Sequence, residues 1–429
     1  MRKAPPEAAD ARGRAIDCNP DDAERRSLNA HVNVVRADKL SEPSFGASKG
    51  RSDRSQPTSR LETHSSTSID SAHLQSPWLS ILIPVYNVEP YLRECLTSIY
   101  DQLAGHTGVE ILLLDDASTD DSAAILATFA KAHATNTRML VHRQNLGLSA
   151  ARNSLLEAAK GDYVWFVDSD DKLMPKSISS LHRAIRTSSA DLILCDYRRS
   201  WRRIRTFNGP AWTIASDCEG LVRGVFSAGR LHSWSKISRR LLWGQDLRFP
   251  VGRCFEDITT TPRLLLRAVN YYYVPEAWIF YRRRSDSIMA AIRKSQKVFD
   301  AEKNNDLAMA MVGYRDELHT KLPRLEPSTA YALTTFVADH FTGLAARLIR
   351  CRGPERDRHI FYGRVLRYRD LAEDCSPVPL LQLGSQHLRR LRIRRWLKLR
   401  GALALAERAL KSAASDSESS SSSSRSPDG

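Results

Sequence analysis

The sequence predicts an α/β protein: a doubly wound, mostly parallel sheet with helices on both faces, followed by a helical C-terminal region. Two observations carry this reading. Four short apolar runs between Leu79 and Val167 alternate with helix-length segments, and each run ends in a cluster of polar residues. A central parallel strand is covered on both faces, so it reads as a continuous apolar run whose polar groups gather where the chain leaves the sheet. Right-handed crossovers between such strands place all four polar tips along one edge.

Taken in order, Leu79 to Ile83 runs into Pro84-Val85-Tyr86-Asn87, and a helix beginning near Pro90 follows through Leu103. Val109 to Leu114 runs into Asp115-Asp116-Ala117-Ser118-Thr119-Asp120, paired carboxylates followed by a hydroxyl-rich cap for a helix over Ser122 to Ala132. Arg138 to His142 leads into Asn145-Leu146-Gly147, a glycine turn before a helix that carries Arg152 and Asn153 and ends near Gly161. Tyr163 to Val167 closes on Asp168-Ser169-Asp170-Asp171. Acids at a buried strand's end suit a metal or ligand; an Asx-rich turn capping the next helix is the plain alternative.

In that order, Ser-Ile-Leu-Ile-Pro-Val-Tyr-Asn, Leu-Leu-Asp-Asp-x-Ser-Thr-Asp, Asn-x-Gly-x-Ser-x-Ala-Arg-Asn and Val-Asp-Ser-Asp-Asp resemble family 2 glycosyltransferases of the GT-A fold, over about Pro77 to Met289. The resemblance implies a nucleotide-sugar site. Pro84, Tyr86, Asn87 and Glu89 would lie at the base, with Asp115 and Asp116 toward uracil or ribose and Asn145, Gly147, Arg152 and Asn153 along the donor. Asp170 would hold the metal bridging the diphosphate, supported by Asp168. One departure is Ala117, where the family usually has glycine, and it bears on the backbone of that turn.

A departing nucleoside diphosphate gathers negative charge, which a divalent ion on carboxylate oxygens neutralises as a Lewis acid. Oxygen ligands without Cys or His favour Mn²⁺ or Mg²⁺ over zinc. The acceptor hydroxyl needs a base as it attacks. Glu256-Asp257 is the candidate, although an acid at a helix start is also an ordinary cap. Ser233-Trp234-Ser235-Lys236-Ile237, Phe249-Pro250 and Tyr281-Arg282-Arg283-Arg284-Ser285-Asp286-Ser287-Ile288 are similar to the bacterial capsular, exopolysaccharide and lipopolysaccharide branch of the family. That likeness implies Asp257 as catalytic base beside Glu256, Trp234 and Lys236 at acceptor or diphosphate, and the Arg282 stretch closing over the donor. It further implies an inverting transfer; a membrane-embedded processive synthase is disfavoured because the chain has no spans and no Gln-x-x-Arg-Trp, so a single transfer is expected, with UDP the first choice of nucleotide and a glycan or lipid-diphosphate-linked acceptor.

The ends differ in composition. Residues 1–75 are rich in Arg, Asp, Ser and Pro without periodicity, and 412–429 is nearly a serine tract, so both are expected to be disordered tails. Between them the reading divides the chain into a glycosyltransferase domain over 76–296, with a nucleotide half (76–171) and an acceptor half (172–296), and a helical region over 297–411. Ala332, Leu333, Phe336, Val337, His340 and Phe341 form a core stripe. From Leu388 to Lys411, Leu388, Leu391, Leu399, Ala402, Leu403, Ala406 and Leu410 fall on one helix face opposite a basic one. Either this helix packs on the protein, or it lies on an anionic inner-membrane surface. No apolar stretch long enough to span a bilayer and no signal-peptide core is present, so the expected location is cytoplasmic, possible membrane contact being peripheral. Seven scattered cysteines without Cys-x-x-Cys suit reduced thiols.

The net charge of +15 raises nucleic-acid binding as an alternative. The cationic clusters lack aromatic interleaving or a helix-turn-helix pattern, and nucleic acid is not an expected partner. A sugar nucleotidylyltransferase is the other alternative, but Pro84-Val85-Tyr86-Asn87 is not its glycine-rich loop.

Overall fold

The structure, a computed structural model, describes residues 34–36, 76–284, 300–351 and 357–422, with side chains outside 34–36 and 416–422. Most of the 1–75 tail, the boundary at 296, Ser285 to Ile288 of the closing stretch and residues 423–429 lie outside the described residues. After a short strand β1 (Val34–Arg36), the expected alternation follows in order: β2 (Leu79–Val85), α1 (Glu89–Tyr100), β3 (Val109–Asp115), α2 (Ser122–Ala132), β4 (Thr137–Val141), α3 (Leu148–Ala158) and β5 (Tyr163–Phe166). These strands pair in parallel in the order β1-β4-β3-β2-β5, so chain order reverses around β2. Ligand crevices of open α/β sheets form at such a reversal.

Every residue of β2 and β3 is buried, as the unbroken apolar runs require. Alternation along each strand splits the core in two. Ile81, Ile83, Ile111 and Leu113 pack with α1, α2 and α4 (Ser177–Ser188) on one face. Leu82, Leu112 and Leu114 pack on the other face with α3, α5 (Cys218–Ala228) and α6 (Glu256–Arg267).

The sheet continues through β6 (Lys172–Leu173), β7 (Leu192–Arg199), β8 (Arg202–Ile204), β9 (Ile214–Ala215), β10 (Lys236–Arg239) and β11 (Tyr271–Phe280) to eleven strands. β10 lies antiparallel between β5 and β7, where it joins the parallel strands β1 to β5 to the rest of the sheet. Its sequence, Lys-Ile-Ser-Arg, gives no strand signal, because neighbours on both sides supply its burial.

Helices α7 (Ala301–Met309), α8 (Tyr314–Lys321), α9 (Pro327–Arg350), α10 (Arg358–Cys375), α11 (Leu380–Arg389) and α12 (Ile393–Ser422) complete the chain. Of the expected α9 stripe, Ala332, Leu333, Val337 and Phe341 are buried, and α9 packs on α5, α10 and α12. The segment from Leu388 departs from a single helix: it breaks at 390–392, where Leu391 has φ 55°. Leu399, Ala402 and Ala406 are buried against the bundle, whereas Leu388, Leu391 and Leu410 are exposed. The helix expected to end before the serine tract runs on through Ser422, with Ser412 buried. No helix among the described residues is long and apolar enough to cross a membrane.

The strand tips are laced together. The Asp116 amide donates to the Val85 carbonyl (2.8 Å) and the His142 amide to the Asp115 carbonyl (2.9 Å). The Asn87 amide donates to Ser118 Oγ (3.1 Å), and Asn87 Oδ1 accepts from the Thr119 amide (2.8 Å). This lacing holds Ala117 at φ 60°, the left-handed region in which glycine carries no steric penalty. Ala117→Gly is therefore expected to stabilise the protein by about 0.5–1 kcal/mol, after the greater entropy of the unfolded glycine is deducted. Urea unfolding measures it, and a destabilised variant would contradict a left-handed turn.

Candidate functional site

Asp168, Asp170 and Asp171 leave the tip of β5 in a tight turn closed by the Asp171 amide on the Asp168 carbonyl (3.0 Å). Each offers a carboxylate oxygen within 4.8 Å of the others. The chain then forms β6, which pairs with the end of β11 and brings Tyr281 to Arg284 back over the acids. The Arg282 amide donates to Asp171 Oδ1 (2.8 Å), its Nε to the Asp170 carbonyl (2.9 Å), and Arg284 reaches Asp170 Oδ2 at 3.2 Å. Arg282 also bonds Glu94, and both guanidiniums lie over the Tyr91 ring. Burial and the Asp168 charge push the Asp170 carboxyl up to about 6. Asp171 is held well above the usual carboxylate range by burial and by Asp170, and its Oδ2 is buried without a hydrogen-bond partner.

Arg152 joins this cluster to the acids of α6. Its Nη2 donates to Asp168 Oδ1 (2.9 Å), and its Nη1 to Glu256 Oε1 (2.7 Å) and Asp257 Oδ1 (3.1 Å). The side chain is 1% exposed, with the Phe166 and Phe249 rings beside the guanidinium at 6.0 and 5.2 Å. Burial opposes its charge, but Asp257, Asp168 and Glu256 outweigh that and hold it protonated. One cation facing three acids leaves an excess of negative charge. Accordingly burial, with the neighbouring Asp257, lifts Glu256 to about 7 even though Arg152 pulls it down. Phe255 presents both acids at the start of α6 from a left-handed backbone, φ 63°.

Several of the expected site residues make internal hydrogen bonds. Arg152 is turned to carboxylates. Asn153 clamps the Phe249 backbone, donating to its carbonyl (2.8 Å) and accepting from its amide (2.9 Å). Asp116, expected toward the nucleoside, is buried with one oxygen accepting from His142 Nδ1 (2.6 Å) and the Leu146 amide (3.0 Å) and the other from the Gly147 amide (2.8 Å). It fixes the turn at Gly147, where φ is 86°, ahead of α3, while Asn145 stays exposed. Asp115 accepts from the Ser118 amide, and Glu89 exchanges bonds with the Asp120–Asp121 turn.

Lys236 is buried, donating to the Arg230 and His232 carbonyls and to Ser235 Oγ, and burial lowers it to about 7. Trp234, 2% exposed, stacks between His232 and Tyr281. Neither therefore reaches an open surface. Pro84 is buried at the end of β2, and Tyr86 beside it is 45% exposed, an aromatic face at the crevice. The sequence reading missed Asp171 as a third oxygen donor, although it stood in the same motif; it also missed Tyr91 and Glu94, whose helix carries no signal for them.

Comparison with known proteins agrees with the fold. The model of the family described as Glycosyl transferase family 2 matches residues 80–214. Glycosyltransferase GlyA of Streptococcus pneumoniae is 29% identical over 280 residues, which is 62% of this chain but 39% of GlyA. The putative glycosyltransferase EpsH of Bacillus subtilis is 30% identical, covering 53% of this chain and 67% of EpsH. Glycosyltransferase GlyG of S. pneumoniae is 30% identical over half of this chain and 73% of its own. The crystal structure of S. aureus TarS 1-349 in complex with UDP-GlcNAc superposes with TM-score 0.56 at 20% identity, covering 78% of this chain and 92% of that one.

The charge excess around Arg152 has a measurable consequence. Glu256 rises from its ordinary 4.5 to about 7 in the folded state, so its contribution to stability is full below about 4.5 and is lost as pH rises through 7. Glu256→Gln keeps an acceptor for Arg152 without the titrating proton. The variant is expected to lose less stability than the parent between pH 5 and 8, by on the order of 2 kcal/mol. Parallel stability curves from chemical unfolding would show that Glu256 is ionised throughout.

Proposed function

The chain belongs to glycosyl transferase family 2, and we propose that it moves a sugar from a nucleoside diphosphate donor, UDP first, onto a hydroxyl of a glycan or lipid-diphosphate-linked acceptor. The transfer inverts the anomeric carbon, adds one sugar per encounter and serves bacterial cell-surface polysaccharide synthesis. The observation that carries this reading is Arg152, which ties the acid cluster of β5 to Glu256 and Asp257 within one hydrogen-bonded unit. On this reading the acid cluster would serve the leaving group and Asp257 the acceptor from the same edge of the sheet. The UDP-GlcNAc bound in the TarS structure, the same fold, favours UDP as the first donor to test.

The acids fit a divalent cation. Asp168, Asp170 and Asp171 supply oxygen donors only, which suits Mn²⁺ or Mg²⁺, and the buried Oδ2 of Asp171, without a hydrogen-bond partner, leaves a ligand position open. A bound ion would neutralise the charge that gathers on the departing diphosphate. The remaining chemistry belongs to side chains. Tyr86 offers its exposed ring to the nucleobase, and Arg282 and Arg284 bracket the acids where the phosphates would sit. Asp257 takes the acceptor proton as the hydroxyl attacks, with Arg152 orienting the carboxylate through one oxygen.

If the cluster holds the ion, Asp170→Asn weakens UDP binding in Mn²⁺ by at least about tenfold while thermal unfolding without ligand is unchanged or improved, since a raised carboxyl is removed. Unaltered affinity by calorimetry would remove Asp170 from the site. If Asp257 is the base, Asp257→Asn lowers kcat by about a hundredfold to ten-thousandfold with little change in donor affinity. Near-normal turnover would reduce Asp257 to a helix cap.

A further inference from the structure

The corner between α11 and α12 combines three features that packing does not explain. Leu381, Leu388, Leu391, Ile393 and Leu397 are exposed there, Leu391 at 82%. Arg389, Arg390, Arg392, Arg394, Arg395, Lys398 and Arg400 stand among them, and no acid occurs from Ser376 to Ala406. Of these cations, Arg395 alone meets a carboxylate among the described residues, Asp339 at 3.2 Å. The third feature is the backbone: Leu391 sits at φ 55°, a region that is costly for a residue with a Cβ, and its side chain gains no buried contact in return.

We propose that this corner docks the protein on an anionic lipid surface. A bilayer interface takes both halves of the patch at once, because the leucines enter the acyl boundary while the arginines meet headgroup phosphates. The whole of α12 is not free to lie on a membrane: Leu399, Ala402, Ala406 and Ala409 are buried on the bundle. The contact is therefore a cationic knuckle with apolar tips, presented by a packed scaffold. A second copy of the chain would bring the same uncompensated cations face to face. Nucleic acid would leave the leucines in water. The inference does not depend on the proposed transfer reaction.

Vesicles of phosphatidylcholine, with and without phosphatidylglycerol, provide the test with the full chain. Co-sedimentation is expected only with phosphatidylglycerol, falling as salt is raised. The triple variant Arg389→Gln, Arg392→Gln, Arg394→Gln, which removes no ion pair, is expected to lower partitioning by about a hundredfold, roughly fivefold per charge. Leu391→Asn suits the left-handed backbone, so it is expected to weaken binding while thermal unfolding holds or improves. Equal binding to both vesicle types, binding to neither, or full binding by both variants would overturn the proposal. So would a vesicle-independent dimer, seen by ultracentrifugation, that Leu391→Asn dissolves.

Discussion

Five carboxylates, those of Asp168, Asp170, Asp171, Glu256 and Asp257, converge on the polar edge of the sheet, and a single fully buried cation, Arg152, holds the two groups of them together. Charges of one sign at such separations repel strongly in a low-dielectric site unless a cation, a proton or a metal intervenes. Arg152 cannot satisfy all of them, and burial together with the neighbouring acids raises Asp170 and Glu256 toward neutrality. The edge is thus built short of positive charge. Phe166 and Phe249 flank the guanidinium and limit its escape to water, so the deficit is fixed by the core and does not depend on a mobile surface side chain.

Much of this edge was legible in the sequence because strand burial and tip polarity are one-dimensional signals. The runs at Leu79, Val109 and Tyr163 had to be central strands, and Asp168 and Asp170 had to leave the last of them at the crevice. What was not legible depended on tertiary neighbours. Arg152 read as a residue along the donor, and nothing in its helix announces the three acids and the Phe249 ring, about a hundred residues later in the chain, that it meets. Asp116 and Asn153 showed the right chemistry for a ligand, but their partners are the Gly147 amide and the Phe249 backbone. Polar residues that hold the loops and polar residues that hold ligands look alike when contacts are unknown.

The same limit explains β10 and α12. Four residues with one aliphatic side chain do not announce a strand; β10 is set by the edges that β5 and β7 offer it. Along α12 the apolar spacing picked out Leu399, Ala402 and Ala406 but ran through the helix break and included the exposed Leu410, and periodicity alone cannot say whether a stripe meets protein or lipid. The bundle takes Leu399, Ala402 and Ala406, and the helix break at Leu391 separates them from the exposed leucines upstream.

The C-terminal bundle also braces the start of α6. Asp306 of α7 accepts from the Cys254 amide (3.0 Å), pinning the loop that leads to Glu256, and Arg263 of α6 bonds Glu317 of α8 (2.9 Å) and the Val312 carbonyl (3.0 Å). The first turn of α6 is therefore positioned from both sides, by Arg152 from the sheet and by α7 and α8 from the bundle. Phe255, forced left-handed between these anchors, stores strain that the anchors must jointly outweigh. Loosening the bundle would let Phe255 relax and carry Asp257 away from Arg152, so the helical region is a structural part of the site that holds the proposed base.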